Sequence, residues 1–311
     1  MHDKLLHSVV NKLVQGRSDW TLEELQFQRN YPDKIEQALK ELHHKNSKGF
    51  VVSHSGCNLL QCSGKKILTY PEAIMLALYV PDLLGNSYRV AVLAYNDEFL
   101  DMAVVDYGDG VFAFEYAAFV PFVNSEAVYS ICNEATRNVE GPVDKVLVVT
   151  NGHYDFSYEQ LAGSVFGVEA ELMTNLKQLI KKGAEIREGI SNGSVKNALL
   201  LPVISQAVGI EDADGDMLNI IEANTNIPCR NSRQIMLDAS ASEIGVKIWQ
   251  GNNSVAKKNV VVANLSVMND CIQAGTKRMM EVMVDIDSVM CCRCRLTDIK
   301  TGRMDEVLVG K

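Results

Sequence analysis

Three short clusters in this sequence carry residue types that could hold a metal or move a proton. Cys291, Cys292 and Cys294 bring three thiols close together. A structural zinc site needs a matching second pair of ligands or a nearby histidine, and this cluster has neither. Its alternation is that of a half-buried strand instead, with Met290, Cys292, Cys294 and Leu296 on one side and Arg293 and Arg295 on the other. Asp212, Asp214 and Asp216 around Gly215 superficially resemble a calcium loop. The acidic residue that should follow about twelve positions after the first ligand is missing, so a hairpin turn accounts for them. His43 and His44 sit beside Lys45 and Lys48 on a solvated helical face, and His153 has no nucleophile partner in sequence. No Ser/His/Asp or Cys/His arrangement has a recognisable context. The expectation is no catalytic residue and no metal ligand.

Composition narrows the class. The 311 residues are 47% hydrophobic and 22% charged, the balance of a globular chain that can bury a core. A formal charge of −9 argues against a general phosphate-binding surface, so no direct DNA binding is expected. No run approaches the roughly 18 apolar residues of a membrane span. Residues 1–16 lack the basic, apolar, small-residue order of a signal peptide. These features predict a cytoplasmic protein that does not engage membranes and keeps its cysteines reduced.

The elements that would position any site follow from periodicity. Residues 21–47 read as helical, opening on Thr21 with Glu23 and Glu24 in the first turn and interrupted by Pro32. Residues 50–53 form a strand candidate, and 67–80 a strand leading into a helix with Pro71 in its first turn. Three short strands follow at 90–93, 102–105 and 111–114, the last two joined by the hairpin signal Gly108-Asp109-Gly110. Residues 124–137 and 157–190 read as mostly helical, with a buried strand at 146–149 between them. From about residue 195 helical periodicity fades and short strands alternate with turn clusters. The pattern predicts an α/β region followed by an all-β region.

Several motifs in order carry a family resemblance. Asn224-Thr225-Asn226-Ile227-Pro228 matches the "NTTIP" signature of the Hsp70 chaperones at four of five positions. Leu199-Leu200-Leu201 resembles that family's linker, although Pro202 stands where Asp is usual. Gly209-Ile210-Glu211 with Gly215 is similar to "GIE…GG", and Gln250-Gly251 to "QGE". Asp285-Ile286-Asp287, Asp298 and Thr301-Gly302 reproduce "DID…D..TG". The first half resembles a pruned nucleotide-binding domain more weakly. Thr21-Leu22-Glu23-Glu24 is similar to "TPEE", Tyr70-Pro71-Glu72-Ala73 to "EPTA", residues 146–149 to the "LVLVGGSTRIP" strand and 181–185 to the "AYGAA" helix. The resemblance implies a reduced actin-like, Hsp70 ATPase-type α/β domain over 1–193, a linker over 194–202 and an Hsp70-type β-sandwich over 203–311.

What the resemblance implies about chemistry is mostly loss. Phosphate loops are glycine-rich so that backbone N–H groups can crowd round the anion. The first such loop and its lysine fall in a segment this chain lacks. The second, "DLGGGT", is replaced by Ala94-Tyr95-Asn96-Asp97-Glu98-Phe99, and the "GGSTR" loop by Thr150-Asn151-Gly152-His153-Tyr154. A large subdomain is missing between 115 and 130, which should leave apolar sheet surface for a partner or an N-terminal helix to cover. No ATP hydrolysis and no bound cofactor are expected. By the same resemblance, Ile210, Ile235, Ile244 and Val246 would line a peptide pocket, although ordinary sandwich core also explains them. Ala213 and Asp238 would arch over the peptide, where the family has a larger Met and a small Ala. With no lid helix before Lys311, release would be rapid. The implied roles are a non-catalytic adaptor, similar to ribosome-associated atypical Hsp70s that pair with a zuotin-type J-domain protein, or an ATP-independent holdase for unfolded or nascent polypeptide.

Overall fold

The computed structural model describes residues 21–24, 50–57, 59, 66–80, 87–96, 98–151, 156–270, 275–288 and 290–309. The chain divides into two units, 1–49 and 50–311. In the first, Thr21 opens a helical turn with a reciprocal cap. Its hydroxyl accepts from the Glu24 N–H at 3.2 Å, and the Glu24 carboxylate accepts from the Thr21 N–H at 2.8 Å. The remainder of the helix expected over 21–47, with His43 and His44, lies outside the described residues.

The second unit begins with a parallel pair, β1 (Phe50–Ser53) and β2 (Lys66–Thr69), and helix α1 (Tyr70–Tyr79). Thr69 and Glu72 form a capping box, and a proline in the first turn suits the fixed φ of that position. Next comes an antiparallel meander of β3 (Tyr88–Asn96), β4 (Phe99–Gly108) and β5 (Val111–Val120). Asp109 and Gly110 both take positive φ (52° and 77°), as the Gly-Asp-Gly hairpin signal requires. Helix α2 (Ser125–Asn138), β6 (Lys145–Thr150), α3 (Phe156–Phe166), β7 (Ala170–Met173) and α4 (Leu176–Asn192) complete the region. β8 (Leu199–Leu201) closes the far edge, giving the order β7-β6-β3-β4-β5-β8.

Three sequence expectations change here. The helical stretch expected over 157–190 is two helices split by β7, because Gly167 ends α3 at φ 72° and Ala170–Met173 then pairs parallel to β6. The leucines expected as linker form an edge strand, Val111↔Leu199 to Ala113↔Leu201. The sheet surface expected to need outside cover is covered by the chain's own helices. Val90, Val92, Phe112 and Phe114 pack with α1 and α4 residues on one face. Ala91, Leu93, Val104 and Tyr116 pack with α2 on the other. α1 and α4 meet at backbone contact: a Cβ on Gly183 would lie 2.0 Å from the Ala73 carbonyl oxygen.

The all-β region packs two four-stranded antiparallel sheets around one core. One sheet runs β11 (Met217–Ile221), β10 (Val208–Glu211), β14 (Glu243–Gln250), β15 (Val260–Met268). The other runs β13 (Cys229–Asp238), β16 (Lys277–Ile286), β17 (Cys292–Asp298), β18 (Met304–Leu308). A two-residue pair, β9 (Val203–Ile204) with β12 (Thr225–Asn226), sits beside them. In β17, Cys292, Cys294 and Leu296 are buried as the alternation predicts, while Cys291 is half-buried and precedes the strand. Met290 lies ahead of that strand with φ 67°.

Candidate functional site

Two places carry the chemistry implied by the sequence, and a third was not foreseen. The first is the turn between β3 and β4, where the resemblance puts a phosphate loop. Asn96 Oδ1 accepts from the N–H groups of Glu98 at 2.8 Å and Phe99 at 3.1 Å. These donors are therefore spent inside the turn, whereas an anion-binding loop turns its N–H groups outward. At the other implied loop, Asn151 Oδ1 accepts from the Lys177 N–H at 3.2 Å. His153 and Tyr154 lie outside the described residues.

The second place is the implied peptide pocket. Ile210 on β10 and Ile244 on β14 are 1% and 2% exposed, members of the sandwich core. Ile235 on β13 and Val246 on β14 are half-buried and pack against that same core. Ile210 and Ile244 are thus part of one sandwich core, and Ile235 and Val246 pack against it. Ala213 and Asp238 are both exposed, Ala213 in the β10–β11 turn and Asp238 at the end of β13. The Asp238 carboxylate accepts from the Ser240 N–H and hydroxyl, each at 2.9 Å, and these bonds hold it below the usual carboxylate range. The acidic β10–β11 turn is internally bonded too, with Asp212 Oδ1 accepting from Asp214 and Asp216 N–H groups. Among the described residues no group of three or more His, Cys, Asp or Glu is placed to hold a metal ion, and no helix is long and apolar enough to cross a membrane.

The third place is the seam where the loop after β1 joins the two regions. β1 and β2 straddle the seam, with Phe50, Val52 and Leu68 in the α/β core and Val51, Cys57, Leu59 and Ile67 in the sandwich core. Asp101 on β4 is fully buried, and its carboxylate accepts from the Ser55 N–H at 3.0 Å and from the Ser55 hydroxyl. The Ser205 hydroxyl donates to the Ser55 carbonyl, and Gln250 Oε1 accepts from the Leu59 N–H at 2.7 Å. Burial pushes the Asp101 acid up to about 8, only partly opposed by the Ser55 bonds. Burial raises Glu72 as well. Sequence reading passed over Asp101, although an acid set among Phe99, Leu100 and Met102 was a signal. The motif Asn224–Pro228 also belongs to the seam. Asn224, at φ 60°, accepts from the Ala117 N–H at 2.8 Å, and Asn226 Nδ2 donates to the Phe114 carbonyl at 3.0 Å.

The family model described as Hsp70 protein matches residues 157–310. That stretch is Hsp70-like. The match starts within α3 and runs through the whole sandwich, so it spans both regions and all of the motifs from Leu199 to Gly302. It supports a chaperone-type function and a mixed α/β chain rich in strands, as expected of an Hsp70 segment.

Proposed function

We propose that this protein is a non-catalytic, Hsp70-like adaptor in protein folding, built from a reduced ATPase-type α/β region joined to a substrate-type β-sandwich. The observation that carries this reading is the β3–β4 turn, whose Glu98 and Phe99 N–H groups are capped by Asn96. A phosphate would meet an occupied turn with an acidic side chain beside it. The burial of Ile210 and Ile244 supports an adaptor over a holdase, since a peptide side chain would have to displace core to enter. The partner class proposed is a zuotin-type J-domain protein, with the ribosome as the place of action in the cytoplasm.

The test has two arms. Titration calorimetry with MgATP should give no saturable heat up to millimolar nucleotide, and tight binding would overturn the non-catalytic reading. Capture of the tagged full chain from its own cells should retain a J-domain protein together with ribosomal proteins, both released by high salt. A heterogeneous set of unfolded clients without ribosomes would replace the adaptor by the holdase.

A further inference from the structure

A cleft of about 500 Å³ runs along α2, between that helix, the end of β5 and the sandwich residues Ser205, Gln206 and Asn252. Its lining is part apolar and part polar. Ala127 and Ile131 come up from α2, Phe119 and Val120 from β5, and Phe122 at the rim is 53% exposed. Among the described residues that line it, the only charges are two carboxylates, Glu126 and Glu134. With Ser130 they form an i, i+4, i+8 stripe along the helix, so the two acids stand about 12 Å apart along its axis. The far wall is amide and hydroxyl. Asn252 is committed to Ala207 and Ser205, while Gln206 lies beside it and faces the cleft.

We infer that this cleft docks an extended, basic–apolar peptide segment of a protein partner, with two cationic side chains four residues apart bracketing one apolar side chain. The spacing follows from geometry: a strand rises about 3.3 Å per residue, so four residues span about 13 Å and match the two glutamates. In a strand, side chains i, i+2 and i+4 share a face, which seats the central apolar group on Phe119, Phe122 and Ile131 between the cations. An extended backbone also has unpaired N–H and C=O groups for Gln206 and Ser130, whereas a helix has spent its own. The inference rests on the adaptor reading and names where a partner segment docks. It uses none of the residues of the implied sandwich pocket.

The experiment is fluorescence anisotropy of the full chain with a labelled, proline-flanked heptapeptide carrying lysines at its second and sixth positions and leucine at its fourth. Saturable binding is expected, weakened about tenfold in the Glu126→Gln/Glu134→Gln double variant and by added salt. Both glutamates are exposed, and an amide at position 134 can still accept from the buried Tyr116 hydroxyl that Glu134 lies against, so the variant should melt close to the parental temperature. Glu169→Gln, exposed between α3 and β7 and away from the cleft, should leave binding unchanged. A peptide with glutamates for lysines should not bind, and one with its lysines adjacent should bind about as weakly as the parent peptide does to the double variant. Equal binding by parent and double variant, no saturation, or binding only by a helix-forming peptide with lysines eight apart would each overturn the inference. Peptide binding without partner capture from cells would count against the adaptor alone, and capture without peptide binding against the cleft alone.

Discussion

Asp101 in the α/β region and Asp298 in the sandwich are both strand acids removed from water, 0% and 1% exposed. Burial drives both carboxyls upward, yet they end on opposite sides of the ordinary carboxylate range. Asp101 is bonded by the neutral Ser55 N–H and hydroxyl, with Glu72 adding repulsion, and stands at about 8. For Asp298 the upward push of burial is outweighed by the Arg278 guanidinium at 2.6 Å, by Thr301 and by the Lys300 and Thr301 N–H groups, which hold it low. Neutral donors can satisfy a buried carboxyl without ionising it, and a full cation at bonding distance is what restores the charge. The seam between the regions is therefore knit by near-neutral hydrogen bonds, and the ends of the inner sandwich strands β16 and β17 by an ion pair.

Breaking each region at its tightest point should give the largest effects. A Cβ on Gly183 meets the Ala73 backbone, and one on Gly209 would lie 2.2 Å from the Leu218 carbonyl oxygen. Gly183→Val and Gly209→Val should each cost about 4 kcal/mol or more in urea unfolding, because a backbone neighbour cannot step aside as a side chain can. A loss under about 1 kcal/mol at either position would show that the close approach is not kept in solution. Asp298→Ala strands Arg278, itself mostly buried, and should cost about 3 kcal/mol at neutral pH.

The two acids also predict opposite pH slopes. The folded-state value of Asp101 exceeds its unfolded value, so the folded protein holds the extra proton between about pH 4 and 8 and stability falls as pH rises through that window. Asp101→Asn should remove up to about 1.4 kcal/mol per pH unit of that slope. For Asp298 the folded value is depressed, so its contribution is whole above the unfolded value and is lost as pH falls through the folded one. Denaturant midpoints measured from pH 3 to 9 on the parent and on Asp101→Asn separate the two. An unchanged slope above pH 5 in the variant would leave Glu72 as the titrating group. The smallest effect belongs to the seam: Asn224→Ala loses the Ala117 bond and places a Cβ residue with no side-chain oxygen at φ 60°, about 1–2 kcal/mol by thermal melt.

Much of the fold was legible where a local rule acts alone. Pro71 at the start of α1, the Gly108-Asp109-Gly110 hairpin and the alternating Cys292, Cys294 and Leu296 each declare their element through a first-turn proline, a turn or a period of two. β7 was not legible, since Ala170-Glu171-Leu172-Met173 holds good helix formers that become a strand only by pairing with β6. The candidate site was half legible. The loss of glycines at the β3–β4 turn could be read directly, but that Asn96 spends the turn's donors could not. Periodicity left two readings open for Ile210, Ile235, Ile244 and Val246, pocket lining or sandwich core, and the structure puts Ile210 and Ile244 in the core with Ile235 and Val246 packed against it.

What the sequence by itself determined is most of the elements before α3, the change to short strands after about residue 195 and the string of motifs from Leu199 to Gly302, because each depends on neighbours within a few residues. The tertiary structure alone decided three things: that Leu199–Leu201 closes the six-stranded sheet, that the chain's own helices cover both faces of that sheet, and that Asp101 meets Ser55 in a dry seam. Each of these is a contact between segments far apart in the chain. Its energy depends on burial and on which group arrives opposite, and neither is encoded in local spacing.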